Sequence, residues 1–576
     1  MPSKRSFKRQ NEDEKDGRAN KRQGRNRREQ TYDTFDAALD GGVEMEEKGE
    51  RYRDGDKAQR FYERAVELYA KAAQLRETFD AVYNQARTLY NLAAHFLLPP
   101  TSLLVLRQSV VLYERASVLT HSPLLRMDVA FNLAQAVSTL ADILEDVEDE
   151  EVGELRKRAR DTFAEVMDGQ ESFLAAASQA AEGEGEGEGE GEEAVGDAVG
   201  DAVGDEVRGM EVDCANGKHS SAFETHLPTP STFIDTVLAL VELHLTLWES
   251  RPTPHPPTED EQTAVRAILG RAAAIAPPGR QAELDLAEID VLLAMDRIVW
   301  DTYKSEAKAG SGIEHSLNGA VSALEAVLAS LDVVPAEDST VRHRVLATLA
   351  DTHMAIASRL MLLNHQLPPG PTALAQDAWD NLSRAITHLN ATLNLATDAN
   401  TLRENKASIL LTLSKASLER AKLATSNETS RRNIEQLLDN AETYAGRAGE
   451  TLGWRFLQVV NTPTPSGGTL NISGSSGGNV VPHQAGWEIE LLGRTIALQQ
   501  IRACLFASHT NFLSEDARNK YREGLANVLE TLQSIKDSER VLSVQDVERW
   551  IANLEDDQGD LDETEKDWWR EIMAVL

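Results

Sequence analysis

Residues 48–72, KGERYRDGDKAQRFYERAVELYAKA, carry the clearest structural signal in the chain. Ala58, Phe61, Tyr62, Ala65, Val66, Tyr69, Ala72 and Ala73 recur at three- and four-residue spacing, which predicts one apolar helical face. Within that face Ala65, Tyr69 and Ala72 set a ring between two small side chains. The same spacing recurs at Ser109, Tyr113 and Ala116, and at Ala159, Phe163 and Val166.

This pattern resembles the second helix of a tetratricopeptide repeat (TPR). The Gly49-x2-Tyr52 pair matches the first-helix Gly-x2-Tyr of that family, and Ala86-x2-Leu89 and Ala134-x2-Val137 are looser versions. The second helices are 44 and 50 residues apart rather than the family's 34, so the excess is expected in long turns at 95–104 and 145–154. Echoes follow at Ala320-Leu324-Val327, Ala378-Leu382-Ala385 and Ala441-Ala445-Ala448, where chance and true repeats are equally open. The resemblance implies an all-α fold, a TPR-like α-solenoid of antiparallel helix pairs. It also implies a concave face lined by Glu46, Glu50 and Arg53, then Tyr83, Arg87, Tyr90 and Asn91, then Phe131, Gln135 and Ser138. Asn84 matches an amide that the family uses to hold acidic tails of heat-shock chaperones. Carboxylates at Glu46 and Glu50, where that use needs a basic and an amide side chain, disfavour such a partner.

The expected organisation follows composition. Residues 1–30 form a disordered basic tail, and 31–175 the TPR-like repeats. An acidic Glu/Gly-rich linker spans 176–228; within it, residues 182–206 hold 11 acidic and no basic side chains. A helical array at 229–460, a Gly/Ser/Pro loop at 461–484 and a C-terminal helical block at 485–576 complete the chain. Proline clusters at 252–257, 277–278 and 368–371 punctuate the array by removing amide donors. Of eight tryptophans five lie at Trp454, Trp487, Trp550, Trp568 and Trp569. Trp550, after Val547 at helical spacing, is expected in a core, and Trp568-Trp569 are expected to cap the solenoid, with anchoring a partner as the alternative.

The 576 residues carry a net charge of −35. Residues 1–28 hold 11 basic and 4 acidic side chains, so the body beyond them holds 48 basic against 90 acidic. That body repels nucleic acid, limiting any such contact to the tail or a local patch. Lys8 and Arg9, then Lys21, Arg22, Arg25, Arg27 and Arg28, resemble a bipartite nuclear-import signal, which predicts a nuclear or nucleocytoplasmic protein. No apolar signal region or membrane-length apolar run is read. Cys214 and Cys504 exclude a disulfide scaffold, and His244, His353, His365 and His388 lack metal-ligand spacing. No phosphate loop, zinc motif or nucleophile elbow occurs, so catalysis, cofactors and metals are not expected. The expected function is a non-enzymatic protein-binding scaffold or adaptor, in its narrower form an escort or assembly chaperone for a basic nuclear or ribosomal client. Two alternatives stay open: an RNA-processing or translation-linked scaffold, and a non-catalytic accessory subunit of an enzyme complex.

Overall fold

A computed structural model describes residues 32–52, 55–145, 151–183, 227–251, 253, 255–306, 314–333, 339–365, 367, 370–395, 403–453, 487–534, 544–558, 561 and 563–575. Cys214, Trp454, most of the acidic linker and the Gly/Ser/Pro loop fall outside them.

The described residues form nineteen α-helices and no strand. They begin with α1 (Phe35–Tyr52), α2 (Gly55–Leu75), α3 (Phe79–Phe96), α4 (Thr101–Leu119), α5 (Pro123–Glu145) and α6 (Val152–Gly183). Beyond the linker follow α7 (Pro230–Glu249), α8 (Glu259–Ile275), α9 (Gln281–Glu306), α10 (Glu314–Val333), α11 (Ser339–His365) and α12 (Ala373–Leu395). The remainder are α13 (Arg403–Lys422), the short α14 (Glu428–Arg432), α15 (Ile434–Leu452), α16 (Trp487–His509), α17 (Glu515–Ser534), α18 (Val544–Gln558) and α19 (Glu563–Val575). Nearly every helix packs on its successor, with α13 passing over α14 to pair with α15 and α18 packing on α16 rather than on α17. The result is an all-α solenoid of helix pairs.

The positions singled out in the second helices are the ones that seal each pair. Tyr69 and Tyr113 are fully buried and Phe163 is 2% exposed, each between buried small or branched neighbours. All nine echo positions, from Ala320 to Ala448, are buried as well. A further copy that sequence reading missed lies on α8, at Val265, Leu269 and Ala272. Close approach has a direct geometric mark on α1. A Cβ on Gly42 would lie 2.5 Å from the Tyr69 ring, and one on Gly49 2.8 Å from the Tyr62 ring. Tyr69 therefore faces Gly42, and Gly49 takes Tyr62, because both helices are long enough to make two ring-on-glycine contacts. Elsewhere a hydroxyl lies in the contact: Ser109 donates to the Ala86 carbonyl at 2.7 Å, and Ser414 to that of Ala441 at 2.6 Å.

Two expectations change. The extra residues per repeat go mainly into longer helices, 23 residues in α5 and 32 in α6, rather than into long turns. Helix α6 runs to Gly183, past the expected boundary at 175, and packs on both α5 and α7. One apolar cluster accordingly runs from Val82 through Phe163 to Phe233 and Ile298, uniting the repeats on either side of the linker.

The line of pairs curves back on itself. Helix α16 touches α3, and α18 touches α11. Trp487, at the start of α16, packs against the cluster of Ala93, Leu106, Leu140, Ile143 and Leu144. The last pair is locked by Trp569, fully buried and edge-on to Trp550 at 4.9 Å. Arg502, 2% exposed, reaches Glu565 at 2.6 Å and Glu419 at 3.6 Å, and Lys422 completes a charge-balanced quartet joining α13, α16 and α19. The expected tryptophan cap is thus built from Trp569, while Trp568 stacks on His509 at 4.3 Å.

Tyr113→Ala empties a sealed contact and is expected to cost about 3 kcal/mol, whereas Leu104→Ala, at a side chain 69% exposed, costs under about 0.5 kcal/mol. Hydrogen exchange of the α3–α4 amides measures both, and equal losses would contradict the packing.

Candidate functional site

The first helices of successive pairs, α1, α3, α5, α7, α9, α11 and α13, make one wall of the solenoid, and polar side chains bridge them in series. Between α1 and α3, Glu46 accepts from the Tyr69 hydroxyl at 2.8 Å and from Arg87 at 3.0 Å. Between α3 and α5, the Tyr83 hydroxyl donates to Asp128 at 2.5 Å and accepts from Asn132 at 2.9 Å. Tyr90 and Thr139 meet at 3.3 Å. Further on, Arg297 of α9 pairs with Glu249 of α7 at 3.0 Å, and Arg344 of α11 with Asp290 of α9 at 2.8 Å. Helices α3 and α16, and likewise α11 and α18, are first helices that meet where the line curves back, so this wall lies on the inner side of the curve.

Of the side chains expected on the concave face, several are embedded in the wall. Glu46 is 4% exposed, Tyr83 3% and Asn84 1%, because the first helices approach each other at these positions and close over them. The Asn84 amide has no hydrogen-bond partner. Glu50 is exposed, while Arg87, Tyr90, Asn91, Phe131, Gln135 and Ser138 are half-buried. Arg53 and the import candidates Lys8, Arg9, Lys21, Arg22, Arg25, Arg27 and Arg28 lie outside the described residues. Burial, reinforced by Glu46, raises the Tyr69 phenol, and burial with Asp128 raises that of Tyr83, so both stay protonated donors.

The wall's electrostatics were not visible from sequence. Burial pushes the Asp142 carboxyl to about 6, with Arg156 only partly offsetting it and Glu145 and Glu242 adding to the rise. Asp351 is likewise pushed to about 6 by its surroundings, against the pull of Lys415 and Arg297. Glu249 and Asp290 are raised for the same first reason, despite Arg297 and Arg344. Yet Asp351 remains open to solvent and Asp142 retains 44% side-chain exposure. Both carboxyls are crowded by protein yet keep solvent access, so the charged form is poorly hydrated. Burial is the first cause of the rise at all four carboxyls, on α5, α7, α9 and α11, and it outweighs the arginine paired with each of Asp142, Glu249 and Asp290.

The histidines give no metal centre: among the described residues no group of three or more His, Cys, Asp or Glu is placed to hold an ion. His353 and His388 instead stack at 5.7 Å, and burial lowers the pKa of both. Cys504 is fully buried, which raises its thiol far above the reactive range. Among the described residues one helix, α7, has the length and hydropathy of a membrane span, but it packs between α6, α8 and α9.

Comparison with known proteins adds little to this picture. No protein-family model and no curated protein matches the chain. Among solved structures, it is similar to one described as a circular tandem repeat protein with novel repeat topology and enhanced subunit contact surfaces. That likeness covers 88% of this chain and 98% of the other, with 12% identity and a TM-score of 0.26. The solenoid stands on its own packing.

Arg87→Ala strands the buried Glu46 carboxylate with the Tyr69 hydroxyl alone, and is expected to destabilise α1–α3 by about 1–3 kcal/mol. Adding Glu46→Gln should restore most of that loss in urea unfolding. An additive double variant would show that the two side chains are not coupled.

Proposed function

We propose that the chain is a non-enzymatic, tetratricopeptide-like scaffold whose inner wall holds an extended basic segment of a client protein. The observation that carries this reading is the set of carboxylates Asp142, Glu249, Asp290 and Asp351 along successive first helices, each poorly hydrated through burial. A Lys- or Arg-rich segment would add cations beside them, and the gain is largest where hydration is already weakened. The net charge of −35 adds long-range steering of the same sign. Glu50 and the half-buried Tyr90, Asn91 and Gln135 would continue the surface toward the N-terminal repeats, with polar and aromatic contacts for an extended peptide.

The narrower form is an escort for a basic nuclear or ribosomal client. The Glu/Gly run would screen the client's charge, and the basic tail would serve import. This form rests on the charge pattern of the sequence.

The test is fluorescence polarisation of a Lys/Arg-rich peptide against the full chain. Asp351→Asn and Asp142→Asn are each expected to weaken binding about 3- to 10-fold at low salt, with the difference shrinking at high salt. The pH dependence has a definite sign. A bound cation favours the ionised carboxylates, so binding releases protons and is strongest above pH 6. It weakens as pH falls through about 6, where Asp142 and Asp351 protonate. Binding that is indifferent to both substitutions would refute the reading.

A further inference from the structure

A second site of opposite character lies at the turn between α1 and α2. A cleft of about 380 Å³ is lined there by Lys48, Arg51, Tyr52, Lys57 and Phe61, with no carboxylate among them. Tyr52 and Phe61 lie almost parallel, their ring centroids 5.5 Å apart and their planes 9° apart. Tyr52 is 43% exposed, and the Lys57 ammonium sits 3.6 Å from its ring centroid. Lys48 is held by Glu44 at 2.5 Å, but Arg51 and Lys57 pair with no carboxylate among the described residues.

From these features we infer that the cleft binds a nucleobase bearing phosphate, either in a single-stranded nucleic acid or as a free nucleotide. Two parallel rings at a surface form a short stack that a planar base extends by displacing the Lys57 ammonium from the Tyr52 ring, and every base has a face to offer. Arg51, through its planar fork, suits the phosphate, and the displaced Lys57 would meet it as a mobile point charge. An acidic peptide would satisfy those cations but leave the rings unused, so the paired aromatic rings favour the base. The cleft is also within the usual size for a small-molecule site. The otherwise acidic body explains why such a contact is confined to one patch. This site is independent of the basic-client wall, and each can fail without the other.

The basic residues of the 1–28 tail also attract nucleic acid, so the test must locate the contact. The full chain is titrated with a fluorescein-labelled oligouridylate carrying one 4-thiouridine, followed by ultraviolet crosslinking and peptide mapping. The expected crosslink falls on the peptide containing Tyr52 and Phe61. Tyr52→Ala should weaken binding about tenfold with little change in the melting curve, since the ring is 43% exposed, and Tyr52→Trp should retain binding. Lys57→Gln should weaken it less and flatten its salt dependence. Excess AMP should compete, and polyglutamate of matched charge should not. An oligonucleotide no tighter than AMP would support the cleft as a free-nucleotide site, and a tighter one as a strand site. Crosslinks confined to residues 1–28 with Tyr52→Ala unaffected would overturn the inference. So would competition by polyglutamate without competition by AMP, which would mark an acidic-peptide site.

Discussion

The distance between the two helices of a pair governs everything larger in this protein. Where Tyr69 meets Gly42 and Tyr62 meets Gly49, a ring lies in space that any Cβ would take. Where glycine is absent, alanine or serine does the same work, and Ser109 and Ser414 also give a hydrogen bond to a carbonyl on the facing helix. Pairs held this close are flat enough to stack, and stacking brings successive first helices within reach of one another's polar side chains. The bridges from Glu46 to Arg87, Tyr83 to Asp128, Glu249 to Arg297 and Asp290 to Arg344 are consequences of that spacing.

Curvature then converts a wall into a hollow. Each pair adds a small rotation, and the return of α16 to α3, with Trp487 seated on the N-terminal cluster, shows how far it accumulates. Inside that curve a carboxylate is surrounded by protein without being sealed from water. Asp142 and Asp351 illustrate the outcome, both shifted toward neutrality by burial although both keep solvent contact. It is at these poorly hydrated carboxylates that the proposed basic segment would bind. The quartet of Arg502, Glu419, Lys422 and Glu565 shows the contrasting solution, in which charges of both signs are built in and the site is closed.

The sequence made the sealing positions legible because close packing demands particular residue sizes at fixed helical spacing. Tyr69, Tyr113 and Phe163 could be placed from spacing alone, and even the Ala-rich echoes from Ala320 to Ala448 proved to be buried. The copy on α8 escaped because Val265 stands where a smaller residue was sought. The wall was harder to read. Periodicity told which side of α1 and α3 Glu46, Tyr83 and Asn84 occupy, but not how tightly neighbouring first helices close over them. Continuity across the linker was also hidden, since the joint between α6 and α7 is made by residues far apart in sequence. Asp142 and Asp351 look like ordinary surface carboxylates in a chain that has many. Only their three-dimensional surroundings distinguish them.

The most direct test of the account is to map where a basic chain lies on the protein. A Lys/Arg-rich peptide carrying a photo-crosslinker would be bound to the full chain, irradiated and its attachment points identified. The account predicts crosslinks on the exposed inner faces of α7, α9 and α11, near Glu249, Asp290 and Asp351, with few on the second helices. Crosslinks spread evenly over both walls, or concentrated on α8, α10 and α12, would contradict the claim that the curved inner wall is the binding surface.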